Sequence, residues 1–308
     1  MASTPFFCAA ARRVGVAVFV CLVLTEVAAA GTVEVNGRAF AWDKFGCFVL
    51  PAETLRLAVR TAGQTSGWVV GSGLLLEDSA DHCRWVAPEL PGVYPIALVD
   101  SGRAVTVNVF VMIPADSMKN GQVRGFTIGR YPKTSPFPRL GPPRGFIEVT
   151  KENAGTPVSP RYVLGDFVPY KGQGLPQVLA LHEDLPLKLE LLTDLLQEKG
   201  IRCDRLKVMC GFRTVARQRS YGAGHQSAHM YGGAADVYVD SDGNGTMDDL
   251  NHDGASDSKD ARLLLSCVDE LEQRHPELVG GGGWYRRTRR RGPFIHTDVR
   301  GEHTRWHQ

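Results

Sequence analysis

Between residues 31 and 114 apolar and polar positions alternate, or β-branched residues run together, over short stretches at 32–35, 55–59, 68–70 and 104–111. That period of two predicts strands, with Asn36-Gly37 and Pro91-Gly92 as the turns between them. Strands this short and this closely spaced predict an all-β, Ig-like sandwich. No cluster of titratable residues falls inside it, so it reads as a spacer or binding module. Residues 115–175 then lose the alternation and hold Tyr131-Pro132, a proline-rich stretch at 136–143 and a Gly/Pro stretch at 172–176. A linker passing into extended chain over the next domain is expected there.

At residue 185 the period changes. Leu187, Leu189, Leu191, Leu192, Leu195 and Leu196 recur at helical spacing after Pro186 and stop at Gly200, which predicts a core helix. A strand over 206–209 leads into Gly211-Phe212-Arg213-Thr214, and a second helix over 261–275 turns Leu263, Leu264, Cys267, Val268 and Leu271 inward. Helices and strands without βαβ alternation predict an α+β domain over 176–308.

The first thirty residues follow neither pattern. Arg12 and Arg13 precede an apolar run over 14–24, and Ala28-Ala29-Ala30 offers a cleavage site before Gly31. This predicts a secretory signal peptide over 1–30, because the run is shorter than the roughly 20 residues a spanning helix needs. The expected location is therefore outside the cytoplasm, or at a membrane if the leader stays uncut.

Composition adds little globally and much locally. The chain has 308 residues, 43% of them hydrophobic and 22% charged, with a formal charge of +2, which excludes a disordered tail, a fibre or a multi-span membrane protein. A balance this near zero gives no reason to expect nucleic acid. Yet residues 236–260 hold eight Asp against one Lys, and residues 284–308 hold seven Arg against Asp298 and Glu302. The basic run over 286–291 reads as a solvated loop, and Gly280 to Gly283 before it as a flexible approach.

Export permits disulfides, and Cys47 is expected to pair with Cys83. Cys203 and Cys210 flank the strand over 206–209, where seven extended steps cover roughly 23 Å, so one of them is expected to meet Cys267 instead. No CxxC pair suggests a thiolate zinc site or a redox dithiol.

The chemistry gathers in His229, Asp236, His296 and Asp298. Two imidazoles and a carboxylate suit a three-ligand zinc site with a position left for water. Gly232-Gly233 keeps the first pair off a helix, placing His229 on a loop and Asp236 at a strand start. Alternation along a strand sends His296 and Asp298 to one face, where Asp298 can orient a ligand. By spacing alone these residues could also be scattered surface groups.

The order SxHxxGxAxD (Ser227 to Asp236) then HxD (His296 to Asp298), preceded by Gly211-Phe212-Arg213-Thr214 and followed by Arg305-Trp306, resembles the zinc D-alanyl-D-alanine carboxypeptidase family. That family belongs to the LAS group, with lysostaphin-type enzymes and the hedgehog fold. The resemblance covers about half the chain, from Gly145 to Trp306. It implies a hedgehog-like zinc domain, with His229, Asp236 and His296 as zinc ligands and Arg213 and Ser227 as substrate contacts. Arg213 would hold a substrate carboxylate or polarise the scissile carbonyl. It also implies cleavage of peptide bonds in bacterial peptidoglycan stems, often beside D-alanine. Many relatives carry a histidine five residues before the last ligand, read as the proton shuttle, and others an acidic residue three before it. Here those positions are Arg291 and Pro293. An arginine stays charged and cannot act as a general base, so Asp298, His303 or His225 would have to take the proton.

The acidic segment carries a second pattern. Asp249, Asn251, Asp253, Gly254, Ala255, Asp257 and Asp260 fall at positions 1, 3, 5, 6, 7, 9 and 12 of a calcium loop. Asp240, Asp242, Asn244, Thr246 and Asp248 repeat the spacing. Calcium is therefore a second expected ion, with a solvated acidic turn as the plainer reading. Two functions follow from the whole: a secreted zinc peptidase acting on peptidoglycan, or a cell-wall-binding protein on the same scaffold with lapsed catalysis.

Overall fold

The alternation over residues 32–111 becomes two facing sheets. A computed structural model describes residues 32–60, 67–79, 81–100, 103–222 and 226–308; the expected leader and His225 lie outside them. The strands are β1 (Thr32–Val35), β2 (Arg38–Phe40), β3 (Lys44–Val49), β4 (Thr54–Arg60), β5 (Gly67–Val70), β6 (Leu74–Asp78), β7 (His82–Val86), β8 (Gly92–Asp100) and β9 (Arg103–Val111). One sheet runs β2-β1-β4-β7-β6 and the other β3-β9-β8-β5. Every second residue enters the core between them, among them Val33 and Val35, Cys83 and Trp85, Ile96 and Leu98, and Val105, Val107 and Val109.

This sandwich is not a free bead. Phe110 turns away from its core, stacks on Phe48 at 5.2 Å and joins the core of the following residues. Beside it, Asn108 Nδ2 donates to Pro157 O at 2.9 Å, Gly46 N donates to Val158 O at 3.0 Å, and Phe48 N donates to Glu183 Oε1 at 3.1 Å. The parallel pair of β3 and β9 is thereby covered on both faces.

The stretch expected as linker is extended, but it is built in. It holds β11 (Gln122–Val123) and β12 (Phe126–Thr127), a hairpin, and β13 (Gly145–Val149), which pairs with β10 (Ile113–Pro114) just before the stretch and β14 (Gln177–Leu179) just after it as one small sheet, β10-β13-β14. Phe146, Tyr162, Leu164 and Phe167 are fully buried, so this region contributes core rather than a tether.

The remaining elements are α1 (Asp184–Glu198), β15 (Lys207–Cys210), α2 (Val215–Ser220), β16 (Ala234–Tyr238), α3 (Ser258–Arg274), β17 (Gly281–Tyr285), β18 (Phe294–Asp298) and β19 (Thr304–His307). The expected helix end holds, since Gly200 adopts φ +76° just past α1. Asp257 opens α3 by accepting from Lys259 N at 2.6 Å, while Asp260 accepts from Asp257 N at 2.7 Å, a reciprocal capping box. The sheet order is β15-β16-β18-β17-β19, antiparallel except for the parallel pair β17 and β19. Ala235, Val237 and Ile295 share a core with Leu264, Leu265 and Val268 of α3, so one face of the sheet is covered by helix. The described residues are thus mixed α and β, mostly strand with three α-helices. Among the described residues no helix is long and apolar enough to cross a membrane.

Two expectations are corrected. All five cysteines of the described residues are unbonded. Cys47 and Cys83 pack as small apolar groups in the sandwich core, and Cys203 and Cys267 do so in the larger one. Burial raises these thiols, Cys83 to about 11 and Cys203 to about 12. Gly281 to Gly283 are not a flexible approach either, but three buried residues of β17 between two other strands. A side chain at Gly283 would start 2.2 Å from Trp306 Nε1, so glycine there admits the indole.

Candidate metal centre

A single cross-strand row builds most of the site. In β15, β16 and β18 the register sets Cys210 opposite Asp236 and Asp236 opposite His296. The same row continues through Gly283 of β17 to Trp306 of β19. Because paired residues project to one face, residues far apart in sequence meet above the sheet. His229 arrives from a 3-10 turn, Ala228–Tyr231, which Gly232 ends at φ +74°. Arg213 N donates to His229 O at 3.1 Å, and Tyr131 Oη donates to Met230 O at 2.6 Å, so this turn is held at its two central residues.

Three atoms converge. His229 Nε2, His296 Nδ1 and Asp236 Oδ1 each lie 3.1 Å from the other two. The opposite ring nitrogens are committed as donors: His229 Nδ1 to Gly211 O at 2.6 Å and His296 Nε2 to Asp298 Oδ2 at 2.9 Å. A carbonyl and a carboxylate can only accept, so in the neutral imidazoles the converging nitrogens carry lone pairs. Two imidazole lone pairs and a carboxylate oxygen repel one another unless a cation sits among them. Zinc bonds of about 2.0–2.1 Å place neighbouring tetrahedral ligands roughly 3.3 Å apart, close to the observed spacing.

Without an ion, the electrostatics are those of a pocket that draws positive charge. His229 is pushed down by burial despite Asp236. His296 is pushed up, because hydrogen bonds to Asp236 and Asp298 outweigh its burial. Asp236 is buried, yet the two imidazoles hold it far below the usual carboxylate range.

Cys210 is the member that sequence reasoning missed. Its thiol, with His229 and Asp236, forms a group whose ligand atoms all lie within 4.8 Å of one another, enough to hold a metal ion. However, burial and the neighbouring Asp236 raise the thiol, and its Sγ lies 3.4 Å from Arg213 Nη2. His296, with Nδ1 3.1 Å from both partners and its other nitrogen aimed by Asp298, is the better third donor.

Asp298 is fully buried and committed. Its oxygens accept from Gly281 N at 2.7 Å, from His296 Nε2 and from Arg300 Nη2 at 2.6 Å. It holds His296 in place and does not face the cleft, which separates it from the proton-accepting role considered for it. Asp298→Asn is expected to weaken metal binding about 10–100-fold without changing its stoichiometry, as measured by competition with a zinc chelator.

The triangle floors a cleft of ≈ 780 Å³. Arg213, Arg217, Arg291 and Arg300 line it, against Asp236 as the one acidic side chain among the described lining residues, and Ser227 and Trp306 complete the wall near His229 and His296. Arg213 Nη1 donates to Gln218 Oε1 at 2.9 Å, and its Nη2 approaches Asp236 Oδ2 at 3.4 Å. Arg291 lies 4.5 Å over the Phe294 ring and 5.8 Å over Tyr285, a cation–π seat at the rim. His303 is elsewhere, exposed and 3.3 Å from Asp269 Oδ1. Comparisons with family models, with curated proteins and with solved structures gave no match.

Proposed function

We propose that this chain is an exported zinc peptidase that hydrolyses peptide bonds of bacterial peptidoglycan stems or cross-links containing D-alanine. The observation that carries the reading is the triangle of His229, Asp236 and His296 lone pairs at the floor of an arginine-lined cleft. These three residues would hold the ion, which when bound supplies a Lewis acid and brings the pKa of a water to about 7. Asp298 and Gly211 O fix the two imidazoles so that little reorganises during turnover. Arg213, a half-buried planar fork beside the triangle, would bind a substrate carboxylate or the developing oxyanion. The excess of guanidinium over carboxylate favours an acidic peptide, as the stems are. The hedgehog-like zinc domain and the Ig-like character of the preceding sandwich belong to the same proposal, supported by the order of motifs and by the two-sheet core.

One observation favours a second reading, a wall-peptide binder with lapsed catalysis. Among the described lining residues, no carboxylate or imidazole stands outside the triangle to move a proton. Metal analysis of the purified chain, with peptidoglycan digestion followed by mass spectrometry, decides between them. Zinc with newly released peptide termini supports the peptidase. Zinc with retention on peptidoglycan but no cleavage supports the binder, and a chain that takes up no zinc overturns both. Arg291→His puts an imidazole at the cleft rim and is expected to raise kcat by about 10²-fold, the lower end of what a positioned general acid or base contributes. Steady-state hydrolysis of a purified stem peptide reads this directly.

A further inference from the structure

We propose that the turn over residues 240–248 is a calcium site, and that the matching pattern over 249–260 is not. Asp240, Asp242 and Asp248 each bring a carboxylate oxygen within 4.8 Å of the others. An acidic cluster alone is common on protein surfaces; what sets this one apart is Asp240. That residue is 7% exposed, and its Oδ1 is buried without any hydrogen-bond partner. Its Oδ2 accepts from Gly245 N at 3.2 Å, and the nearest cation, Lys207 Nζ, is 4.0 Å away from that same oxygen. A carboxylate this buried, with one oxygen unpartnered and two further carboxylates beside it, is costly unless a cation coordinates it. The donors are all carboxylate oxygen, from the first, third and ninth residues of the turn, which suits Ca²⁺ over zinc or the stricter octahedron of Mg²⁺.

The second pattern is satisfied by the protein itself. Asp260 Oδ1 accepts from Leu250 N at 2.8 Å and from Asn251 N at 3.3 Å, and its Oδ2 serves the cap of α3. The Lys259 ammonium lies 2.5 Å from Asp253 Oδ2. With position 12 tied to backbone amides and position 5 neutralised by lysine, this stretch folds as a helix entry. One ion per chain is the consequence, not two.

The proposed site touches the cleft through its neighbours. Asp240 lies two residues past β16, the strand that carries Asp236. Thr246 Oγ1 lies 3.5 Å from Arg287 Nη2, and a side chain at Gly292 would begin 2.1 Å from the same oxygen. The segment bearing Arg291 therefore rests on the turn, and calcium fixes the height of the rim.

Calorimetric titration of the full chain with Ca²⁺ alone is expected to give one site with Kd of about 10⁻⁵ to 10⁻³ M. Asp240→Asn and the exposed Asp242→Ala should each weaken it at least tenfold, whereas Asp253→Asn should leave it within twofold. Because Asp242 is at the surface, its variant keeps the test valid if Asp240→Asn fails to fold. No heat of binding up to millimolar Ca²⁺, or a site lost in Asp253→Asn and kept in Asp242→Ala, overturns the assignment. Zinc content measured on the same samples separates this result from the peptidase proposal, which neither outcome touches.

Discussion

Asp236→Ala is expected to abolish stoichiometric metal binding while leaving the fold intact. Asp236 supplies the one negative charge of the triangle, and its Oδ1 stands 3.1 Å from both imidazole donors. Two neutral nitrogens remain, and they cannot hold a divalent ion at comparable affinity. The loss should exceed the 10–100-fold change typical when only an outer partner of a ligand is removed. The substitution also strips Arg213 of its carboxylate, although the Nε of that arginine is already buried without a partner. Equilibrium dialysis with zinc, followed by elemental analysis, is expected to read about one ion per wild-type chain and none per variant, with matching circular dichroism spectra. A variant that retains full stoichiometry would remove Asp236 from the ligand set. On acidification the ion should leave as His296 gains a proton, because the two neighbouring carboxylates already favour its charged form, while Asp236 stays ionised.

Lys188→Met is the largest expected loss of stability. Lys188 projects from α1 into the interior, where its Nζ donates to Glu272 Oε1 at 2.6 Å, to Leu278 O at 3.0 Å and to Asp298 O at 2.7 Å. All three donors are used, and the side chain is 0% exposed. Burial pushes this amine below its ordinary value, and Glu272 pulls it back. Methionine keeps the volume but leaves two carbonyls unpaired and Glu272 with only Arg305 Nη2 at 2.6 Å and Gly280 N at 3.1 Å. Removing one partner of a buried pair costs about 3–5 kcal/mol, a large share of the roughly 5–15 kcal/mol that holds a domain together. Urea unfolding should show the midpoint falling accordingly with an unchanged slope. A shift below about 1 kcal/mol would mean that water replaces the ammonium at no great penalty.

What the residues announced in advance was local. The leucine period and Gly200 marked α1, and the alternation of His296 with Asp298 put both on one face, where their side chains indeed meet at 2.9 Å. What they concealed was pairing across long separations. Nothing near Cys210 indicates that Asp236 will lie opposite it, or that Trp306 will fold over Gly283, because register between distant strands is decided by the assembled sheet. Charge misleads in the same way. Lys188, Glu190 and Thr193 are polar members of α1, yet they are buried, and Arg161 Nη1 meets Glu190 Oε2 at 2.6 Å. Four consecutive glycines suggest a flexible approach when read along the chain, whereas across the sheet Gly281, Gly282 and Gly283 are the gaps that Arg300, Arg305 and Trp306 fill.

The double covering of β3 and β9 has a mechanical meaning. Since Phe48, Phe110 and Asn108 lock that strand pair onto the residues behind it, the sandwich cannot swing as a tethered module would. Any polymer gripped by its outer sheet would be offered to the distant groove at one set angle and spacing. Reach is sacrificed, and in return the local concentration of a correctly oriented segment no longer depends on the statistics of a loose leash.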